Sequence, residues 1–155
     1  EGQIVAAVVF NPVTNDLYVS ERGAGAFMND RRLRVAGRTA LADCVVATGL
    51  PHLGTPDHPG AVRKLQAVMI EVAGLRSSGS PVFELASVAA GRIDAYWQEG
   101  LQPWDIAAGA LFVREAGGKS SDLWGGENMV DTKSICAGNE KIQGRLLTAL
   151  TTARG

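Results

Sequence analysis

One carboxylate in this sequence lies where a catalytic or metal-binding group could act, at the start of an otherwise apolar helix. Asp105 is the only charged residue between Pro103 and Val113. A carboxylate at this position can simply cap the helix and interact with its dipole, which contributes roughly 0.3–1 kcal/mol. A buried anion, in contrast, is unfavourable unless it is paired or binds a cation. The residue type and position therefore allow two interpretations, a helix cap or a metal ligand.

A second polar segment could bind an anion or a hydroxyl group. Gly79, Ser80 and Pro81 lead into a predicted helix over residues 81–90, with Ser80 as its N-cap. A helix N-terminus presents free N–H groups to a ligand. An ordinary cap is the alternative interpretation. Pro81 lacks an N–H group, so one possible donor is absent.

A third polar segment connects a predicted strand to the carboxylate. Gln98 and Glu99 follow the strand predicted over residues 92–97 and lead directly to Asp105. Gln98 offers both an acceptor and donors without a charge. Glu99 has two interpretations, a solvated charge or a ligand.

Two histidines lie in the loop over residues 50–60, which is rich in Pro, Gly and Asp. The spacing of His52 and His58 matches no metal site. We expect exposed loop histidines and assign no function to either one.

The helix that carries Asp105 has clear boundaries. Gln102 is the predicted N-cap, Pro103 the first helical residue, and residues 117–118 are the glycines that end the helix. Trp104 is expected on an apolar face that is buried on most sides. The small residues at 107–110 would allow another backbone to approach closely, which predicts a central packing helix.

The segment around Asp105 resembles a known family. Trp104-Asp105-x-Ala-Ala-Gly109, followed by Glu115-Ala-Gly-Gly118, is similar to the C-terminal signature of the inositol monophosphatase family, Mg²⁺-dependent phosphatases that act on small phosphate monoesters. The resemblance implies that Asp105 is a Mg²⁺ ligand. It also implies a homodimer.

The same resemblance implies a set of substrate contacts. Gly79, Ser80 and Pro81 match a loop that contacts the polyol of the substrate in the family. Gln98 stands where the family usually has a Glu that binds a sugar or inositol hydroxyl, so the substrate site is expected along this turn. Glu99 follows it and is either a solvated charge or that ligand shifted by one position. Pro81 lacks an N–H donor and Gln98 lacks the charge of the family's Glu. These two departures from the family pattern bear on substrate specificity.

The resemblance extends towards the N-terminus and implies that part of the family's machinery is outside this chain. Residues 4–35 resemble the last strands of the family's N-terminal domain. In the family, a Gly-x-Glu-Glu element and an Asp-Pro-x-Asp-Gly-Thr loop precede this region and supply most metal ligands and the activator of the catalytic water. Neither element occurs here, so no catalytic residue is assigned in this chain, which is expected to be an inactive fragment by itself.

The pattern of predicted elements gives the fold class and two domains. An α/β fold, α+β overall, is predicted, with an incomplete N-terminal α+β domain over residues 1–38 and a C-terminal α/β domain over residues 39–155. Residues 3–10 are apolar on both alternating faces, which predicts a strand buried on both sides. A helix is predicted over residues 61–74, with Lys64 off its apolar face.

Composition limits the classes of partner. The chain has 155 residues, 20% charged residues and a net charge of −1, so neither nucleic acid nor an anionic membrane surface is indicated. No apolar run approaches the roughly 20 residues that cross a bilayer. Cys44 and Cys136 are far apart, which favours reduced core thiols in a cytoplasmic protein.

The resulting functional prediction is Mg²⁺-dependent hydrolysis of a small phosphorylated polyol or sugar such as inositol 1-phosphate. Alternatives with the same chemistry are histidinol phosphate, a sugar bisphosphate or a nucleotide 3′-phosphate. An alternative of another class is a non-catalytic fragment or regulatory module, because most of the family's ligands are absent.

Overall fold

The computed structural model describes residues 3–51 and 54–153, which form two sheets and four α-helices. The small sheet contains β1 (Ala6–Asn11), β2 (Asp16–Glu21), β3 (Gly25–Met28) and β4 (Arg31–Arg32). The large sheet contains β5 (Val45–Thr48), β6 (Gly74–Arg76), β7 (Ala95–Glu99), β8 (Lys119–Ser121) and β9 (Ser134–Gly138). The helices are α1 (His58–Met69), α2 (Pro81–Ala89), α3 (Pro103–Glu115) and α4 (Glu140–Thr152). The predicted mixed α/β class is confirmed.

The small sheet is an antiparallel meander in which each strand pairs with the next one along the chain. Its side chains alternate between a buried and an exposed face, so that Tyr18 is fully buried while the adjacent Leu17 and Val19 are exposed. In β1, Val8 and Phe10 are also exposed, at 65% and 53%. The prediction of a strand buried on both sides is therefore wrong for this chain, because one face of β1 packs on the core while no described element covers the other.

The large sheet combines parallel and antiparallel strands in the order β6-β5-β7-β9-β8. Strands β5, β6 and β7 are parallel, while β9 runs antiparallel to β7 and to β8. The connections through α1 and α2 are long enough for the helical crossovers that parallel strands need. As a consequence, β5, β6 and β7 all end at the same edge of the sheet.

The elements form four layers, which are the small sheet, the pair α2 and α3, the large sheet, and the pair α1 and α4. Two hydrophobic clusters fill the space between these layers. The first cluster joins the small sheet, α2, α3 and one face of the large sheet, and it includes Tyr18, Leu85, Tyr96 and Phe112. The second cluster lies between the opposite face of the large sheet and helices α1 and α4, and it includes Trp97 and residues of both helices. The first cluster contains residues from both sheets, so this core crosses the predicted boundary after residue 38. The division into domains over residues 1–38 and 39–155 stays a prediction.

Helix α3 packs closely against α2, as the run of small residues predicted. A Cβ atom at Gly109 would overlap the side chain of Leu85, so the two helices approach each other where α3 has no side chain. Ile106 and residues 109–113 are buried. Trp104, however, is 73% exposed, so its predicted place on the packing face is wrong.

The two cysteines are buried and free of disulfides, as predicted. Burial raises the pKa of Cys44 to about 11 and that of Cys136 to about 12. Both thiols therefore stay protonated at neutral pH and have little nucleophilic character. Among the helices of the described residues, none has the length and apolar character needed to cross a membrane.

Candidate functional site

A crevice opens at the edge of the large sheet where β5 and β7 end. These strands are neighbours, but the chain leaves β5 towards α1 and leaves β7 towards α3, and these helices pack on opposite faces of the sheet. Diverging connections of this kind leave a crevice at the carboxyl ends of the strands, where α/β proteins bind ligands. A cavity of about 290 Å³ lies there. Its wall includes Thr48, Gly49, Lys64, Trp97, Gln98 and Glu99.

Gln98 is held in this cavity wall by two neighbours. It follows Tyr96 on the face of β7 that is covered by α2 and α3, and the Tyr96 hydroxyl donates a hydrogen bond to Gln98 Oε1 at 2.5 Å. A Cβ atom at Gly49 would overlap the Gln98 amide in its present position, so the glycine at the end of β5 allows this close approach. The predicted site residue Gln98 is thus fixed at the mouth of the crevice.

Tyr96 packs between the strand and the starts of two helices. Burial, and secondarily the charges of Glu84 and Asp105, raise the pKa of Tyr96, so its hydroxyl remains protonated and able to donate. Tyr96 belongs to one hydrophobic cluster with Leu85 of α2 and Ile106 of α3, which directly follow Glu84 and Asp105 in the sequence. The fold therefore brings the end of β7 and the first turns of α2 and α3 into one cluster.

Glu99 lies on the opposite face of β7, because successive strand residues alternate. Its Oε2 accepts a hydrogen bond from Lys64 Nζ at 2.5 Å in an ion pair. Of the two interpretations given for Glu99, neither describes this contact, since the carboxylate is paired with an ammonium group. Gln98 and Glu99 therefore lie on opposite faces of β7 and have different partners.

Lys64 lies in the cavity wall, contrary to its predicted place on the helix. Its side chain is only 8% exposed, whereas it was expected off the apolar face of the helix. A signal was present, because Lys64 lies three residues after Ala61 and four before Val68, which is the spacing of the buried stripe. The apolar residues around it led to the lysine being assigned to the solvent side.

The segment Gly79–Pro81 forms the N-terminus of α2, outside the cavity wall. Ser80 is the N-cap residue as predicted, but its side chain makes no capping hydrogen bond. Gly79 has a φ of +77°, a conformation that favours glycine. The buried Glu84, 1% exposed, accepts a hydrogen bond from the Ser78 N–H at 2.5 Å and so fixes the start of the segment.

The sequence pattern did not distinguish Glu84, which anchors the segment before α2. It is the acidic residue in the first turn of α2, where a carboxylate is favoured by the helix dipole. Burial raises the pKa of Glu84, while the hydrogen bond from Ser78 opposes this effect. A single acidic residue in a first turn is common, so the sequence alone could not distinguish it.

Asp105 occupies the first turn of α3 and is half-buried. Its Oδ2 accepts a hydrogen bond from the N–H of Gln102, the predicted N-cap, at 2.9 Å. The capping interpretation is therefore correct. Oδ1 has no hydrogen-bond partner among the described residues, so one oxygen remains for a cation. The metal-ligand interpretation stays a prediction.

The donor set can be compared with what Mg²⁺ requires. Mg²⁺ prefers about six oxygen ligands in octahedral geometry, often one or two carboxylates with water and phosphate oxygens. Among residues 3–51 and 54–153, no three His, Cys, Asp or Glu side chains converge in a possible metal site. Asp105 therefore fits as one ligand, and a complete site would need further oxygens from elsewhere.

Neither histidine of the segment over residues 50–60 has an assigned function. His58 is the exposed first residue of α1, after the N-cap Asp57, whose side chain accepts a hydrogen bond from Gly60 N–H at 3.0 Å. His52 lies outside the described residues, so its predicted place on an exposed loop stays a prediction.

Comparison with known proteins gives the relationship of the chain. Residues 1–154 match the model of the inositol monophosphatase family. An inositol-1-monophosphatase of Mesorhizobium japonicum is 56% identical over 97% of this chain and 56% of the relative's length. A protein of Pseudomonas aeruginosa named Nus factor SuhB is 40% identical over 97% of this chain and 56% of its own length.

Comparison with solved structures gives the same relationship. The crystal structure of the extragenic suppressor protein suhB from Bartonella henselae superposes with a TM-score of 0.93 at 52% identity, covering 96% of this chain and 58% of that chain. The chain thus spans little more than half the length of the relatives it matches. Because the family model covers nearly every residue, and the resemblance of the Asp105 segment agrees with it, the chain belongs to the inositol monophosphatase family.

Proposed function

We propose that this chain supplies the substrate-binding face and one metal ligand of a Mg²⁺-dependent phosphatase that hydrolyses a small phosphate monoester such as inositol 1-phosphate. The observation that carries the proposal is the packing of Tyr96, which holds Gln98, in one cluster with Ile106, the residue after Asp105, at the edge where the parallel strands end. A group for binding a hydroxyl and a group for binding a cation thereby lie on consecutive elements that share this cluster. Family membership supports the same chemistry.

The residues have separate parts in this proposal. The free oxygen of Asp105 would bind Mg²⁺, which when bound activates water and neutralises charge on the phosphate. Gln98 would orient a hydroxyl of the alcohol, and Tyr96 holds the Gln98 amide in place. Gly79 and Ser80 would contact the substrate at the N-terminus of α2, where Pro81 offers no N–H.

The remaining ligands belong to the proposal as well. The chain spans 56% of the length of its Mesorhizobium relative. We infer that a complete enzyme contains a further N-terminal segment with the Gly-x-Glu-Glu element and the Asp-Pro-x-Asp-Gly-Thr loop, and that the chain by itself is inactive. A cytoplasmic homodimer is part of the same proposal.

A non-catalytic role is the second candidate. The name of the Pseudomonas relative, Nus factor SuhB, favours it, because that protein is 40% identical to this chain. The 56% identity to an inositol-1-monophosphatase favours the enzyme more strongly. Phosphatase activity and its dependence on Asp105 distinguish the two candidates.

The test is phosphate release by the chain joined to a family N-terminal segment, measured with and without Mg²⁺. Substrates are inositol 1-phosphate, histidinol phosphate, a sugar bisphosphate and a nucleotide 3′-phosphate. We expect Mg²⁺-dependent turnover with preference for inositol 1-phosphate. Asp105→Asn keeps an acceptor for Gln102 but loses the charge, so activity should fall at least about 100-fold without unfolding. Unchanged activity and Mg²⁺ response would leave Asp105 with the capping role alone.

A further inference from the structure

The ion pair between Lys64 and Glu99 is asymmetric in its exposure to water. The side chain of Lys64 is 8% exposed, while that of Glu99 is 37% exposed. An ammonium group has three donors, and Glu99 is the single hydrogen-bond partner of Lys64 among the described residues. The charge is compensated, but donors of the ammonium group remain for another acceptor.

These donors lie in the wall of the cavity at the ends of β5 and β7. The same wall contains Gln98, which approaches from the other face of β7, and the apolar side chains of Leu65 and Trp97. A ligand in the cavity would exclude water from the ammonium group. Buried donors that lose water without gaining a new acceptor are costly, so the chemistry of the ligand here is restricted.

We propose that Lys64 is a specificity-determining residue that donates a hydrogen bond to a hydroxyl oxygen on the alcohol part of the substrate. The inference rests on the proposed function and extends it to the class of alcohol. Glu99 compensates the charge of Lys64, so the pair favours an uncharged polyhydroxylated alcohol. An apolar alcohol would leave the ammonium donors without an acceptor, and an anionic alcohol would meet the carboxylate of Glu99.

Two variants and one control test the inference in the phosphatase assay described above. Lys64→Met has similar length and removes the donors, whereas Glu99→Gln retains Lys64 and removes its counter-charge. Arg63→Met is the matched control, because Arg63 is an exposed cation on the same helix outside the cavity wall. The substrates are inositol 1-phosphate, phenyl phosphate and 2-phosphoglycerate, which carry polyhydroxylated, apolar and anionic alcohols.

For Lys64→Met, we expect kcat/KM for inositol 1-phosphate to fall about tenfold relative to phenyl phosphate. Arg63→Met should leave this ratio unchanged. For Glu99→Gln, kcat/KM for 2-phosphoglycerate should rise several-fold relative to inositol 1-phosphate, because the charge of Lys64 is no longer compensated. This second variant carries the test if Lys64→Met does not fold.

The outcomes of this assay distinguish a wrong role for Lys64 from a wrong proposed function. An active parent enzyme whose substrate ratios are unchanged by both Lys64→Met and Glu99→Gln would overturn the role of Lys64 alone. An equal loss on all three substrates would do the same, because it would indicate a structural role. A parent protein without Mg²⁺-dependent turnover on any substrate would overturn the proposed function and the inference with it.

Discussion

At the scale of single residues, strand alternation decides which polar groups can act together. Gln98 and Glu99 are adjacent in sequence, yet one contacts Tyr96 and the other Lys64, on opposite faces of β7. The sequence placed both residues at a strand end but did not say which face each would occupy. It also could not reveal Lys64 as the partner of Glu99, because 35 residues separate them.

Replacing Gln98 tests its proposed contact with the substrate. Gln98→Glu retains an acceptor for the Tyr96 hydroxyl and turns a neutral group into a charged one, which makes stronger hydrogen bonds with hydroxyl donors. We expect kcat/KM for inositol 1-phosphate to rise about tenfold relative to the other monoesters. Equal effects on every substrate would place Gln98 outside the substrate site.

The buried carboxyl of Glu84 gives a prediction about stability and pH. Burial raises its pKa in the folded state above the ordinary value, so its favourable contribution is present at low pH and lost as pH rises through the raised pKa. Glu84→Gln keeps an acceptor for Ser78 and does not titrate. The free energy of unfolding of the wild type, minus that of Glu84→Gln, should therefore fall as the pH rises above about 4, where a glutamate of the unfolded chain begins to ionise.

Urea unfolding at several pH values measures this difference. Subtracting the value for Glu84→Gln from that of the wild type cancels the contributions of the other carboxylates, which titrate in both proteins. A difference that rises with pH, or that stays constant, would show that the surroundings of Glu84 do not disfavour its charged form.

At the scale of elements, capping signals predicted the starts of two helices. Gln102 and Pro103 marked the start of α3, and Ser80 and Pro81 marked that of α2. The helix predicted over residues 61–74 begins and ends earlier, at His58–Met69. Predictions of which side chains are buried were less reliable. Trp104 is exposed and Lys64 is buried, because burial depends on which elements pack against a helix, and helical periodicity does not contain that information.

The close contact between α2 and α3 can be tested with a pair of glycine substitutions. Gly109→Ala places a Cβ where Leu85 lies, and we expect it to lower the free energy of unfolding by about 1–3 kcal/mol despite the better helix propensity of alanine. Gly144→Ala is the matched control in α4, because Gly144 is exposed and a Cβ there would meet no described atom within 4 Å beyond its own helix backbone. It should raise stability by up to about 1 kcal/mol.

Thermal unfolding of the two variants checks this prediction. The melting temperature should fall for Gly109→Ala and rise or stay constant for Gly144→Ala. If both substitutions stabilised the protein, the helices α2 and α3 could separate without cost, and the positions of Glu84 and Asp105 would be less rigidly defined than the packing indicates.

At the scale of the whole molecule, one sheet face has no covering layer within the described residues. Val8, Phe10, Leu17 and Val19 are exposed on the small sheet, with exposed fractions between 40% and 65%. Exposed apolar patches of this kind are typical of interaction surfaces. The apolar pattern of residues 3–10 predicted a strand buried on both faces, whereas β1 is covered on one face only in this chain.

The decisive measurement is Mg²⁺-dependent phosphate release from inositol 1-phosphate by the purified 155-residue chain, with and without the proposed N-terminal segment, supplied in cis or as a separate chain. We predict no turnover by the chain alone, because Asp105 is its single proposed ligand and phosphate chemistry with two metals needs several converging carboxylates. Adding the segment should restore activity and increase solubility together, and Asp105→Asn should abolish the restored activity. Robust turnover by the chain alone that is lost in Asp105→Asn would contradict this account.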